Sequence, residues 1–507
     1  MASLAFYLSA TVLFAQSSSA FNCSIPPIYV DIHKRAVHDS NVFQYGSFIG
    51  VGTPAQNHSL WPSLTHNQTS FGARTFCDGN STLRECETST GGFFESQLST
   101  TYAYTLSTSY TLPFAYTQIS FDQNKEYQTL DTERNSTFTK SYFGEDTLHL
   151  YTHYFETDGA SQTLLNNYTV QVVEEGSTKP AVVGVGSSST VLSSLVAQNR
   201  ICGKTYSVYI GQGFDRAGGR VNGSNVFGGY DAGRFVNPVH KYNMSTASTS
   251  PMVVRVKDII ISETNNANAN VSLFDTSAFP SMSARPGSFD AQITTHQYPL
   301  SLPYEITQNF ISHLGAEEDN FWGDNSLKLK NSFNGSLTIV LEDGFQVTIP
   351  PSVLMNASNI TPIQSRSKDS TAPFYLSTAF LTQVYLMADY EKSSFYLATA
   401  VQKNNMVMPT TFCPGSTPSA YQRPNQGVFL KQGLIGAVIG GIIGSIGIAV
   451  CAYCFILSCR RKVSEKRIER RIAESRKAAK MAQFEIEETM EFDPPPKSAT
   501  PFFWRKT

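Results

Sequence analysis

Asp275 lies in the run Phe274-Asp275-Thr276-Ser277, an acid followed by two hydroxyl-bearing residues. A carboxylate held in such a turn can take a proton from water or give one to a reacting oxygen. Other chemistries are excluded by spacing. There is no zinc or calcium ligand pattern, no phosphate loop and no serine nucleophile elbow. Gly184-Val185-Gly186 is too short for a dinucleotide fingerprint, and no helix with the required glycines follows it. The nine histidines are scattered along the chain. No metal or organic cofactor is expected.

The elements that must position such a carboxylate are mainly strands. Residues 21–410 carry short alternations of apolar and polar side chains, broken by Gly, Asn, Ser and Pro. Tyr168–Val173 and Leu337–Leu341 read as strands. Short helices are predicted near Thr190–Gln198 and Tyr304–Leu314. Two apolar segments frame this region. Leu4–Ala15, followed by small residues to Ala20, predicts a signal peptide over 1–20. Residues 433–458 hold no charge and are long enough to span a bilayer. Ten Lys or Arg between 460 and 480 place that end in the cytosol, giving a single-pass type I protein of the cell membrane. Residues 411–432 read as a stalk and 459–507 as a helical cytosolic tail ending near Pro494-Pro495-Pro496. Gly436, Gly440 and Gly444 form a small face that would let two copies pack.

Charge and modification signals divide at the same place. The chain has 38 basic and 40 acidic side chains, a net charge of −2, which excludes nucleic-acid binding through bulk positive charge. Residues 459–507 hold 13 basic and 8 acidic side chains, so the remainder is mildly acidic. Asn-X-Ser/Thr sequons begin at Asn22, Asn57, Asn67, Asn80, Asn135, Asn167, Asn222, Asn243, Asn270, Asn334, Asn356 and Asn359, all before the apolar span. They predict a glycosylated ectodomain. In an oxidising compartment Cys77 and Cys86 are the first expected disulfide. Cys23 with Cys413 is the second pairing considered, which leaves Cys202 over. Cys451, Cys454 and Cys459 fall in or at the membrane, where palmitoylation of Cys459 is the relevant chemistry.

Six segments in order resemble one family across residues 43–400. They are Phe48-Ile49-Gly50-Val51-Gly52-Thr53-Pro54-Ala55-Gln56, Gly91–Tyr102, Val182-Val183-Gly184-Val185-Gly186, Phe227–Phe235, Phe274-Asp275-Thr276-Ser277 and Phe380–Glu391. Together they are similar to the pepsin-like aspartic proteases, the fungal membrane-anchored members in particular. The resemblance implies a bilobal β fold, with lobes over 21–240 and 241–410 and a cleft between them for a polypeptide substrate or ligand. It also implies two carboxylates, one from an Asp-Thr/Ser-Gly turn in each lobe, sharing one proton because both cannot ionise so close together.

The chain departs from that pattern where it matters. Ser63, in Trp61-Pro62-Ser63-Leu64-Thr65, stands at the first-lobe Asp position, seven residues after Gln56. Asp275 matches the second-lobe Asp, but Ser277 replaces the glycine. Tyr375-Leu376-Ser377 replaces the Ile-Leu-Gly before the last strand pair, and the region 103–142 has several Tyr but no match to the flap. The expectation is a catalytically impaired protease-like protein that binds or senses at the cell surface. The alternatives are an active aspartic endopeptidase using Asp275 with another partner, and an unrelated adhesion glycoprotein.

Overall fold

The computed structural model describes residues 21–37, 43–78, 86–87, 90–104, 138–151, 162–176, 180–214, 220–246, 250–263, 266–282, 284–319, 324–355, 359–403, 407–422 and 426–487. The signal-peptide segment, residues 105–137 of the region 103–142 that has no match to the flap, and the Pro494–Pro496 run lie outside these residues. The chain divides into two compact units, Met1–Tyr421 and Gln422–Thr507.

The first unit is mainly β. Its largest sheet has 13 strands. From one edge it runs Phe235–Asn243, Ser394–Ala400, Val384–Asp389, Thr205–Tyr209, Gly223–Phe227, Ile28–Ala36, Phe43–Val51 and Gln56–Ser63. It continues through Val182–Gly184, Ser70–Gly72, Gln162–Gly176 and Phe138–Tyr151 to Ala103–Tyr104. A six-stranded sheet holds Gln346–Ile349, Gly335–Leu341, Val253–Glu263, Phe289–Ile293 and Phe374–Leu376, with Asn266–Ser272 paired to Val253–Glu263.

Burial follows the strand period. In Gly335–Leu341 the alternate residues Leu337, Ile339 and Leu341 are buried, and the residues between them are half-buried. That is the pattern of a sheet with one face on the core. Thr205–Tyr209 and Val384–Asp389 are buried throughout because each face meets its own apolar cluster. Tyr206, Val208, Leu386 and Ala388 join the main core, and Tyr209, Tyr385 and Met387 join a second core with Phe235, Tyr396 and Phe412. The helices Thr190–Ala197 and Tyr304–Leu314 form where the sequence predicts them. The Ser189 side chain caps the first by accepting from the Leu192 amide at 3.2 Å, and Gly315, with φ 64°, ends the second.

Two boundaries shift. The lobe border at 240/241 falls inside the strand Phe235–Asn243, and Val384–Asp389 and Ser394–Ala400 share the large sheet with strands from the first half. Sequence cannot reveal this, because a long-range register leaves no local signature. The stalk is also shorter than 411–432. Pro409–Thr411 pairs with Gly229–Asp231, Phe412 is fully buried, and the Tyr421 amide donates to Ala232 O at 2.8 Å. Asp389, itself buried, accepts from the Lys392 amide at 3.1 Å and the Gly415 amide at 2.7 Å, so it fastens this segment to the last strand pair. Asp231 accepts from the amides of Met408 at 2.8 Å and Gly233 at 3.0 Å and braces the same corner.

Both disulfides form, Cys77–Cys86 and Cys23–Cys413, and Cys202 is left as a buried free thiol. The second unit is one helix, Gln426–Glu487, of 62 residues. At 1.5 Å per residue it is about 90 Å long, several times the ~30 Å hydrocarbon layer. The apolar span and the charged tail are therefore a single element. It is long and apolar enough to cross a membrane.

Candidate functional site

Ser63 ends the strand Gln56–Ser63 and is fully buried. That strand is held from both sides. On one side it pairs with Phe43–Val51. On the other it runs parallel to Val182–Gly184, with Ser63 opposite Gly184. Its bend near Ser59 fits only against a residue without a side chain. Gly91, at φ 69°, takes a bond from the Ser59 amide at 2.9 Å, and a Cβ there would lie 2.1 Å from Ser59 O.

The same arrangement occurs a second time. Phe289–Ile293 runs parallel to Phe374–Leu376, with Ile293 opposite Leu376, and the Thr294 amide donates to Leu376 O at 3.1 Å. In each case a strand enters a loop beside two apolar residues and one small residue, Val182-Val183-Gly184 or Tyr375-Leu376-Ser377. A short helix follows that small residue, Thr190–Ala197 in one half and Thr378–Leu381 in the other. Pro62 is opposite Val183 as Ile293 is opposite Leu376, so Thr294 is the counterpart of Ser63. Both residues are fully buried. Both also receive an amide from their own loop. The His66 amide donates to Ser63 Oγ at 3.0 Å, and the His296 amide donates to Thr294 Oγ1 at 3.1 Å.

The two loops meet. Ser63 Oγ lies 2.8 Å from His66 Nδ1 and 2.5 Å from His296 Nε2. The two ring nitrogens are 3.1 Å apart, and Thr65 Oγ1 is 3.1 Å from His296 Nε2. The rings are edge to face, with centroids 4.8 Å apart. Alongside, the Trp61 indole N–H donates to Thr295 O at 2.6 Å. His66 is buried and His296 half-buried. Burial brings the His66 imidazolium down to about 4. Burial, then the neighbouring His66, pushes His296 well below the usual histidine range. No carboxylate contributes to either shift. At neutral pH the cluster is therefore two neutral imidazoles and two hydroxyls. It can pass a hydrogen-bond proton among its members, but it has no acid to share with a second acid.

Asp275 does not belong to this site. It follows the edge strand Asn266–Ser272 in an exposed turn. Its carboxylate accepts from the Ser277 amide at 2.9 Å and the Ser277 hydroxyl at 2.7 Å. Those bonds hold it below the usual carboxylate range. The resemblance offers Asp275 as the second-lobe acid; the structure shows it capping its own turn, while Thr294 holds the position equivalent to Ser63. Asp275→Asn is expected to leave the urea midpoint unchanged, as for an exposed surface site whose turn an asparagine can still cap. A urea titration of the variant checks this.

Thr294 and His296 carry no carboxylate, so a reading of the sequence for paired acids passes over them. The available signal is the alternating strand Phe289–Ile293, with Phe289, Ala291 and Ile293 buried, entering a loop some ten residues before the helix at Tyr304. Among the described residues no group of three or more His, Cys, Asp or Glu could hold a metal ion.

Of the sequons, Asn22, Asn167, Asn243, Asn270 and Asn334 are exposed, and Asn57, Asn67, Asn222 and Asn359 are half-buried. The Asn57 amide oxygen accepts from the Tyr151 hydroxyl, and that of Asn67 accepts from the Ser188 amide. Asn80, Asn135 and Asn356 lie outside the described residues.

No protein-family model matches the chain, and no curated protein does. A solved structure, the aspartic proteinase from Irpex lacteus, is similar to it at 15% identity. The match covers 74% of this chain and 100% of that one, with a TM-score of 0.45.

Proposed function

We propose that this chain is a membrane-anchored, aspartic-protease-like protein that binds polypeptide in a groove between its two halves without cleaving it. One observation carries the reading. The two equivalent loop positions, at the ends of Gln56–Ser63 and Phe289–Ile293, hold a serine and a threonine, and imidazoles fill the space between the loops. Peptide hydrolysis by this type of scaffold needs two carboxylates sharing a proton. A neutral Ser–His–His cluster has no general acid above about pH 4. Loss of such a group costs several orders of magnitude in rate.

The helix Gln426–Glu487 is the proposed membrane anchor, with the basic tail on the cytosolic side and the first unit outside the cell. Glycans are assigned first to the five exposed sequons. A second copy is the proposed neighbour in the membrane. A Cβ on Gly436, Gly440 or Gly444 would meet nothing within 4 Å, so the chain itself makes no use of their small size. Glycine in a helix interior costs about 1 kcal/mol relative to alanine, and close helix packing offsets that cost.

The test is direct. Purified protein is incubated with unfolded substrate at pH 3–6 with and without pepstatin, and the same substrate is used in an equilibrium binding titration. Saturable binding without cleavage is the expected result. Pepstatin-sensitive cleavage would overturn the reading in favour of an active endopeptidase. Neither binding nor cleavage would leave the adhesion reading.

A further inference from the structure

We infer that the Ser63–His66–His296 cluster is an acid-released latch between the two halves of the first unit. The contact joins residues 230 or more apart in sequence, and one histidine comes from each half. It deepens the reading of the intervening groove as a binding site by naming the regulation of that site, and rests on that reading only for its biological use. The latch itself can be tested with no ligand present.

The argument begins with the hydrogens. Three atoms, Ser63 Oγ, His66 Nδ1 and His296 Nε2, lie within 3.1 Å of one another. In the neutral state Ser63 donates to one imidazole and the other imidazole donates back to Ser63, so the triangle is satisfied. One added proton is also accommodated. The ring nitrogens are close enough to share it, as two carboxylates 3 Å apart share theirs. A second proton is not. It places two cations about 3 Å apart in a buried seam, and the Thr65 hydroxyl on His296 Nε2 brings no charge. The titratable groups of the cluster are the two histidines themselves. No carboxylate or cation from a packed element enters the shift of either one. Letting one ring out to water relieves that repulsion.

The sign follows. In an opened or unfolded chain both imidazoles protonate near about 6.5. In the closed seam His66 resists protonation down to about 4, and burial beside His66 pushes His296 well below the usual histidine range. Acid therefore favours the open state. The bias begins as pH falls below about 6.5 and grows until pH has passed through the closed-state values. At neutral pH the latch is shut.

Trp61 supplies a reporter. Its indole N–H is bonded to Thr295 O beside the cluster, and its ring touches Phe214 and Tyr45. The chain has three tryptophans, so a background carrying Trp322→Phe and Trp504→Phe isolates Trp61. Its emission is followed from pH 7 to 3 at constant ionic strength, with far-UV dichroism recorded in parallel. Expected is an emission change at acid pH while the β signal persists, together with two histidine steps by NMR. In His66→Gln/His296→Gln the emission change should move down by about one pH unit or more, because neither amide can take a proton. If the double variant fails to fold at pH 7, His296→Gln alone serves. It should show one histidine step and no emission change before the β signal is lost. An unchanged midpoint in either variant overturns the latch. So does an emission change that coincides with global unfolding in the natural chain. Binding without the acid transition would sink the latch and leave the proposed function standing.

Discussion

A chain carrying both Ser63→Asp and Thr294→Asp is expected to show no peptidase activity, although it would have one carboxylate at each loop position. The obstacle is the pair of imidazoles. A carboxylate at 63 would sit about where Ser63 Oγ now lies, 2.8 Å from His66 Nδ1 and 2.5 Å from His296 Nε2. An opposite charge at that distance raises an imidazole by two units or so, which takes His66 from about 4 to about 6 and leaves it cationic at mildly acidic pH. The new acid would then be ion-paired and could not share a proton with its twin. Ser63→Asp alone should therefore reverse the acid sensitivity of the seam, with histidine titrations moving from about 4 towards or above the unperturbed 6.5. Activity requires the imidazole to leave as well. His296 stands third in Thr294-Thr295-His296, and Thr65 third in Ser63-Leu64-Thr65, at the positions where the resembled turns carry glycine. Adding Thr65→Gly and His296→Gly to the double variant should raise cleavage of unfolded substrate at pH 3–6 on the order of 10³-fold above background, in a pepstatin-sensitive way. Activity in the double variant alone would show that the imidazoles do not obstruct. No gain in the fourfold variant would show that the loops no longer bring two carboxylates within bonding reach, and that only the fold is retained.

How far the sequence exposes this site depends on what each residue leaves in its neighbours. Ser63 is legible because a fixed stretch of strand, Gln56 to Ser63, separates it from the turn at Gly52–Ala55. Local geometry counts the residues. Thr294 leaves no such trace, since nothing distinctive stands a fixed distance before it, and the acid at 275 draws the eye to an edge-strand turn instead. His66 and His296 are unremarkable in a list of nine histidines. Only the pairing of each loop with its parallel neighbour strand brings them together. Elements with a short period were readable: the alternation in Leu337–Leu341, the helix at Tyr304–Leu314 and the apolar span. The merging of Val384–Asp389 and Ser394–Ala400 into the large sheet was not. Their residues are buried on both faces, so they read as apolar runs that could pair anywhere.

Replacing Cys23 and Cys413 together by serine is expected to cost about 5 kcal/mol of stability, and the Cys77–Cys86 pair about 3 kcal/mol less than that. The contrast comes from the unfolded chain. Cys23–Cys413 closes a loop across 390 residues, and Cys77–Cys86 across 9. Closure entropy lost by the unfolded state grows with the logarithm of loop length. In the folded state the same segment keeps its other ties after the bridge is gone. Thr411 Oγ1 donates to Ile25 O at 2.9 Å, the Gly415 amide donates to Asp389 Oδ2 at 2.7 Å, and Phe412 stays in its core. Both cysteines must be changed, because a lone Cys23 would be free to attack or be attacked elsewhere. The buried Cys202 thiol lies 3.3 Å from Phe412 O, next to the bridge in sequence and in space, and is the natural wrong partner. Urea midpoints for the two double variants, with slopes compared to the natural chain, measure the difference. Equal losses would place the stabilisation in the folded-state surroundings of each bridge. A larger loss for the long loop, with an increased slope, would place it in the unfolded chain. There the bridge holds the segment leading to the helix Gln426–Glu487 against the residues around Cys23 and keeps a 390-residue span compact.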